Sequence, residues 1–232
     1  MRFFPLISSA LVLGLSGTAF AQEWADFASR EDRFAVNFPG QPKITDTTWT
    51  SQVGVTLPAR VYSGTSGAGR YSVTVVDYNP MERVLSEKSR SCPPGAETCS
   101  GIHDWGLGYW KIDLRGAVVY ATSKLLQRDV KITNMMANFQ DLVAGQELQL
   151  TNNADQSRTF ASIYMHENRL VILEATVPKG YPPPTIFQQS LGWLDESGMR
   201  IRYQNIYYNE PDVPKPQIRG RAPVVVEVPV TR

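Results

Sequence analysis

Apolar and polar residues alternate along most of the first third of the chain, as they do in half-buried β-strands. The clearest segment, RFAVNF, places Phe34, Val36 and Phe38 on one face and ends at Pro39-Gly40. Three further segments are rich in β-branched and aromatic residues and are separated by glycine-containing turns; they cover residues 43–51, 55–64 and 70–78. Residues 24–78 are therefore predicted to form a meander of antiparallel strands.

The hydrophobic period then changes from two residues to three and four, which indicates one face of a helix. This helix is predicted within residues 103–127, and its apolar face consists of Trp110, Leu114, Val118, Ala121 and Leu125. Glycines at 106, 108 and 116 oppose the helix, because each costs up to about 1 kcal/mol relative to alanine in a helix interior.

Strand patterns return after residue 130, in segments covering 131–142, 146–152, 157–166 and 169–177. Glu167-Asn168 reads as a hairpin turn between the last two segments, and His166 beside it is expected to be solvated. The nearly continuous apolar run LVILEATV is typical of a strand in mid-sheet with both faces covered.

A second helix is predicted over residues 182–198, where Phe187, Leu191 and Leu194 would share a face and Gly198 would end it. A closing strand is predicted over 199–208, with Ile201, Tyr203 and Tyr207 in register. The succession of strands, helix, strands, helix and strand predicts a single α+β domain, with helices packed on an antiparallel sheet.

The composition shifts at Asn209, and residues 209–232 form a proline-rich tail with an excess of basic residues, among them Lys215, Arg219 and Arg221. Such a segment buries too little surface to fold alone. Its PVVVEVP stretch has strong β-propensity and is suited to pairing with a sheet edge, its own or a partner's. The tail is the first candidate for a contact segment.

The beginning of the chain predicts export. Arg2, an apolar run from Leu6 to Leu15 and the small residues of Ala19-Phe20-Ala21 match the three regions of a secretory signal. We expect cleavage after Ala21, a domain over residues 22–208, and a periplasmic or secreted location. The apolar run is shorter than the roughly 20 residues that span a bilayer, and no transmembrane segment is predicted elsewhere.

Export bears on the two cysteines, Cys92 and Cys99, because disulfides persist in oxidising compartments. The turn-forming Pro93-Pro94-Gly95 lies between them, and a disulfide is the favoured interpretation. Two alternatives remain: a metal site that recruits His103, and a redox pair, although the spacing differs from the usual C-x-x-C.

The sequence contains few residues in patterns typical of a catalytic or binding site. His103 next to Asp104 is the one pair that could serve a hydrolase together with a serine from elsewhere, and no nucleophile-elbow motif accompanies it. Trp105, Tyr109 and Trp110 form an aromatic cluster that either packs in the core or offers a binding face. With 23 Lys and Arg against 22 Asp and Glu, the charge gives no indication of nucleic-acid binding. No cofactor motif is present.

The N-terminal stretch EWADFASREDRFAVNFPGQPK resembles secreted bacterial proteins of the PsbP-like class, as do GQELQL with RLVILEATVPKG and, near the end, FQQSLGWLDESGMRIRY. The resemblance covers most of residues 23–203. It implies an antiparallel sheet sandwiched between helices, and the better-known proteins of this fold are non-catalytic accessory subunits. We therefore expect a non-enzymatic exported protein that binds an envelope component. A small hydrolase and a metal- or small-ligand-binding module are the alternatives.

Overall fold

The computed structural model describes residues 24–90, 109–210 and 217–219, except the side chains of 88–90, 109 and 217–219. The described strands form two antiparallel sheets. The large sheet has seven strands in the order β3-β4-β5-β9-β8-β7-β6. Their bounds are β3 Lys43–Thr50, β4 Thr56–Ser66, β5 Gly69–Asp77, β6 Val130–Gln140, β7 Val143–Asn152, β8 Arg158–His166 and β9 Arg169–Val177.

The small sheet has five strands in the order β1-β2-β10-β11-β12 and lies across one face of the large sheet. Its strands are β1 Trp24–Ser29, β2 Phe34–Pro39, β10 Gly192–Leu194, β11 Arg200–Tyr203 and β12 Gln217–Arg219. The described helices are α1 Met81–Arg90, α2 Tyr109–Leu126 and α3 Thr185–Gln189.

The large sheet separates two hydrophobic cores, because successive side chains of each strand point to opposite faces. On one face, α1 and α2 pack against residues such as Leu148, Ile163 and Ile172, and we call this the helix-side core. On the other face, the small sheet and Phe187 of α3 cover residues such as Val73 and Leu173, and we call this the inter-sheet core. The α+β class with helices packed on an antiparallel sheet is confirmed.

Several predicted elements are present as expected. Helix α2 lies within the predicted segment, and its apolar face packs into the helix-side core. Strand β9 lies between β5 and β8 and is buried on both faces, as its apolar run predicted. Glu167 and Asn168, both with positive φ, form the predicted turn between β8 and β9.

The predicted meander over residues 24–78 is wrong in its connection between β2 and β3. Strand β2 pairs with β1 and with β10, whereas β3 begins the large sheet. Gly40, with φ of 71°, lies where the chain passes from one sheet to the other. Glycine adopts this left-handed conformation without a steric penalty. Pro39-Gly40 therefore ends strand β2 and also directs the chain from the small sheet into the large one.

The predicted helix over 182–198 is correct only at Thr185–Gln189. Residues 192–194 form β10, which is bonded to β2 and β11, so Leu191 and Leu194 do not share a helix face with Phe187. Main-chain pairing on both sides of β10 outweighs the local helical pattern. The predicted strand over 199–208 likewise shortens to β11, and Tyr207 instead forms an isolated parallel bridge with Val143.

Helix α1 was not predicted. Met81 and Leu85, four residues apart, are buried on its inward face, Val84 is partly buried beside them, and its other residues are polar. Two buried side chains gave no clear periodicity. Within the described residues, none of the helices is long and apolar enough to cross a membrane.

Candidate binding surface

Strand β6 is an edge of the large sheet, and its apolar side chains are exposed. It pairs with β7 on one side, and no described strand lies on its other side. Five apolar residues of β6 and its turn are between 39% and 53% exposed: Ile132, Met135, Met136, Phe139 and Leu142. We call these residues the edge surface. An open edge strand presents unpaired N–H and C=O groups on which another strand can form.

The β6–β7 hairpin is closed by a two-residue turn. Asp141 and Leu142 both have positive φ, at 47° and 67°, and Gln140 pairs with Val143 around them. This is the conformation that a tight hairpin requires. The turn fixes the register, so that Met135 lies opposite Leu148.

The two faces of β6 differ in chemistry. Ile132 and Met135 lie opposite leucines of the helix-side core, which places them on the face that carries α2. On the other face, Asn138 Nδ2 donates to Glu147 Oε2 at 3.0 Å and to Tyr164 OH at 3.1 Å. Burial raises the pKa of Tyr164 to about 12, so its hydroxyl keeps its proton at neutral pH. The edge surface is therefore most apolar on the helix side.

The small sheet holds the turn end of β6 in place. Trp193 Nε1 donates to Gln140 O at 2.8 Å, and Gln140 Nε2 donates to Leu191 O at 2.5 Å. Arg202 Nε lies 3.4 Å from Asp141 Oδ1. These contacts come from β10, β11 and the segment before them, so the small sheet anchors the turn end of the edge surface.

Two concavities are lined by described residues. The larger, of about 500 Å³, lies at the other end of the large sheet and is lined by polar side chains that include Lys43, Arg70 and Glu174. The smaller, of about 160 Å³, lies where α2 meets the end of the described domain, between Arg115 and Tyr208. Arg115 Nη2 also lies 3.3 Å from Glu210 Oε1.

His166 is buried, and the prediction that it is solvated is wrong. It is the last residue of β8 and only 1% exposed. Its ring stacks on Trp193 with centroids 4.5 Å apart, and its Nε2 lies 2.7 Å from Tyr203 OH. Burial raises the pKa of Tyr203 and Tyr207, which surround the imidazole. The alternation Tyr164, His166 along β8 was the signal that could have placed this ring in the core.

Most of the sequence-predicted site residues fall on parts of the chain that are not described. These are Cys92, Cys99, His103, Asp104, Trp105, Lys215 and Arg221. Tyr109 begins α2, and Trp110 is half-buried against the helix-side core, in keeping with a packing role. The backbone of Arg219 pairs with Ile201 in the small sheet. Of the aromatic and basic candidates, Trp110 is the one whose side chain is described, so a shared aromatic or basic site stays a prediction.

The edge surface was not anticipated as a site, although its sequence carries a signal. ITNMMANF places four large apolar residues in a segment that also contains three polar ones, on a strand next to a two-residue turn. Among residues 24–90 and 109–210, no three His, Cys, Asp or Glu side chains are grouped so that they could hold a metal ion.

No protein-family model and no curated protein sequence matches the chain. The chain is similar in structure to cyanobacterial PsbP, CyanoP, from Synechocystis sp. PCC 6803, as its solution structure shows. The identity is 12%, the TM-score is 0.42, and the alignment covers 78% of this chain and 98% of the cyanobacterial protein.

Proposed function

We propose that this chain is an exported, non-catalytic accessory protein that binds another component of the cell envelope. The edge surface is the observation that carries the proposal. Exposed apolar residues on an open sheet edge are a common basis of protein recognition by strand pairing. The leader-like first 21 residues support export, and the lack of a catalytic motif in the sequence supports a binding role.

The contact region consists of the edge surface together with the proline-rich tail. The chain stays attached to the domain beyond Tyr208, since Asn209 Nδ2 donates to Asn168 Oδ1 at 3.0 Å. Strand β12 then returns the chain to the small sheet beside Arg202, close to the turn end of β6. Arg202, which pairs with β12 and contacts Asp141, thus links the last described strand to the turn end of the edge surface, and the basic residues that follow in the sequence would meet the same partner.

A crosslinking pull-down from envelope extracts tests this proposal. The bait is the whole chain, and it is compared with a chain truncated after Arg219 and with Met135→Lys, which puts a charge into the edge surface. Both changes should remove most of the captured partner. The matched control is Ile44→Lys on β3, the opposite edge of the same sheet, where Ile44 is 43% exposed.

Equal capture by the whole chain and both variants, with unchanged melting temperatures, would rule out this contact region. If Ile44→Lys alone lost the partner, the partner would bind at the opposite edge of the sheet and the proposed contact region would be wrong. Export is tested separately, because the mature protein should begin at Gln22 in the soluble envelope fraction. A cytosolic protein that retains Met1 would contradict it.

A further inference from the structure

Strand β6 lacks the features that usually protect a sheet edge. Edge strands are commonly short, charged, or interrupted by proline. Strand β6 spans 11 residues, has no proline, and carries Lys131 as its single charged side chain. Its one irregularity, between Ile132 and Asn134, leaves residues 134–140 in regular register with β7. No described strand pairs with the outer side of this run, where side chains meet its main chain only locally, as when Phe139 N donates to Asn138 Oδ1 at 2.8 Å.

The tail contains a segment with the complementary pattern. VVVEV, residues 224–228, is bounded by Pro223 and Pro229, which would end a paired strand at both sides. In a strand, Val224, Val226 and Val228 point to one face, and Glu227 points to the other. This gives one wholly apolar face, which matches the apolar helix-side face of β6.

The path from β12 to β6 is short. Strand β12 runs antiparallel to β11, and Ile218 pairs with Arg202, whose side chain contacts Asp141 at the turn end of β6. Residues 220–223 can span about 13 Å, and packed sheets are about 10 Å apart. Gly220, the next residue in the sequence, is of a type favoured in turns.

We propose that residues 224–228 pair with β6 in the same molecule, as an additional strand of the large sheet. The three valines of one face cover Met135 and Phe139, and the new main-chain bonds satisfy the open edge. This inference concerns the same region as the proposed function and rests on it in that respect alone. If the tail strand covers β6, the partner binds the outer edge of the tail strand instead of β6 itself.

Hydrogen exchange of the isolated protein tests the pairing without any partner. In the whole chain, the amides of residues 134–140 that point away from β7 should exchange at least ~10-fold more slowly than in the chain truncated after Arg219. The amides of β3, the opposite edge, serve as the internal control and should not change. A point variant, Val226→Pro, removes a donor within the segment and should reproduce the truncation, whereas Thr231→Pro should not.

Equal exchange of the β6 amides in the whole and truncated chains would overturn the inference. So would protection that disappears on dilution, because the strand would then come from a second copy. Capture of a partner that depends on the tail, without protection of β6, would leave the proposed function standing and remove the pairing alone.

Discussion

Arg60 Nη1 lies 2.9 Å from Asp32 Oδ2, and this contact joins the two sheets. Arg60 belongs to β4 of the large sheet, whereas Asp32 lies in the turn between β1 and β2 of the small one. The same guanidinium reaches Glu31 Oε1 at 2.8 Å and Asp46 Oδ1 at 3.0 Å, and Tyr62 OH donates to Asp32. Burial raises the pKa of Asp32 despite these partners.

Replacement of Arg60 by Met should destabilise the protein by about 2 kcal/mol, because Asp32 is left largely buried without its cation. The side chain of Asp32 is only 13% exposed. Urea unfolding measures the change. The control is Arg83→Met, which breaks an equally short but exposed pair with Glu87 on α1 and should cost less than about 0.5 kcal/mol. Similar costs for the two variants would show that Arg60 does not hold the sheets together.

Asp113 of α2 should make stability fall as pH rises. It is 1% exposed, and neither of its carboxylate oxygens has a hydrogen-bond partner in proper geometry. Burial raises its pKa above the ordinary 3.8, although the Ser51 hydroxyl and the Gln52 backbone lower it in part. The unfolded chain therefore loses this proton more readily, so stability decreases as pH rises from the unfolded pKa through the folded one.

Asp113→Asn should accordingly melt several degrees higher than the wild type at pH 7, and the difference should vanish below the ordinary pKa of 3.8. Asp155→Asn is a control of opposite sign, since hydrogen bonds from Ser157 lower the pKa of Asp155. It should melt slightly lower than the wild type at pH 7. Calorimetry at both pH values measures these differences, and an Asp113→Asn protein less stable at pH 7 would contradict the argument.

Gly145 of β7 should not tolerate a side chain. A Cβ atom at this position would overlap the Tyr164 ring and the main-chain oxygen of Ile163, so Gly145→Ala should cost about 2 kcal/mol. Gly116→Ala in α2 is the matched control, because its Cβ meets only the flexible end of Gln52, at 2.7 Å. Helix propensity favours that change, and it should alter stability by no more than about 1 kcal/mol. If denaturant unfolding showed that both variants lose similar stability, the predicted difference between the two glycines would be refuted.

The pairing of Cys92 with Cys99 remains a prediction, since both lie outside the described residues. The oxidised protein should have an intact mass two hydrogens below that of the reduced chain. Reduction should lower the free energy of unfolding by roughly 2.5 kcal/mol, because the reduced unfolded chain regains the conformational entropy that the closed loop had removed. A bound zinc ion in native mass spectrometry would instead favour the site with His103.

The hairpins of the large sheet were predictable because alternation and turn residues are local signals. Strands β8 and β9 with their turn at Glu167-Asn168 illustrate this. Strand β10 was not predictable, because its three residues are held by β2, more than 150 positions earlier in the chain. Local sequence favoured a helix there, and distant pairing decided the outcome.

The candidate surface was missed for a different reason. Edge position is a property of strand order, and nothing local in ITNMMANF reveals that β6 ends the sheet. The prediction of a solvent-exposed His166 is wrong because it rested only on the position of this residue beside a turn. The strand continues through it, and the small sheet covers it with Trp193.

The small sheet has a consequence for the order of assembly. Its central pairing, Ala35 with Gly192 and Phe34 with Trp193, joins the two ends of the domain. As the chain folds, the seven-stranded layer needs only the residues up to β9, but the layer above it waits for β10 and β11. Until then one apolar face of the folding domain stays uncovered, which makes this closure the late, slow and aggregation-exposed step of folding.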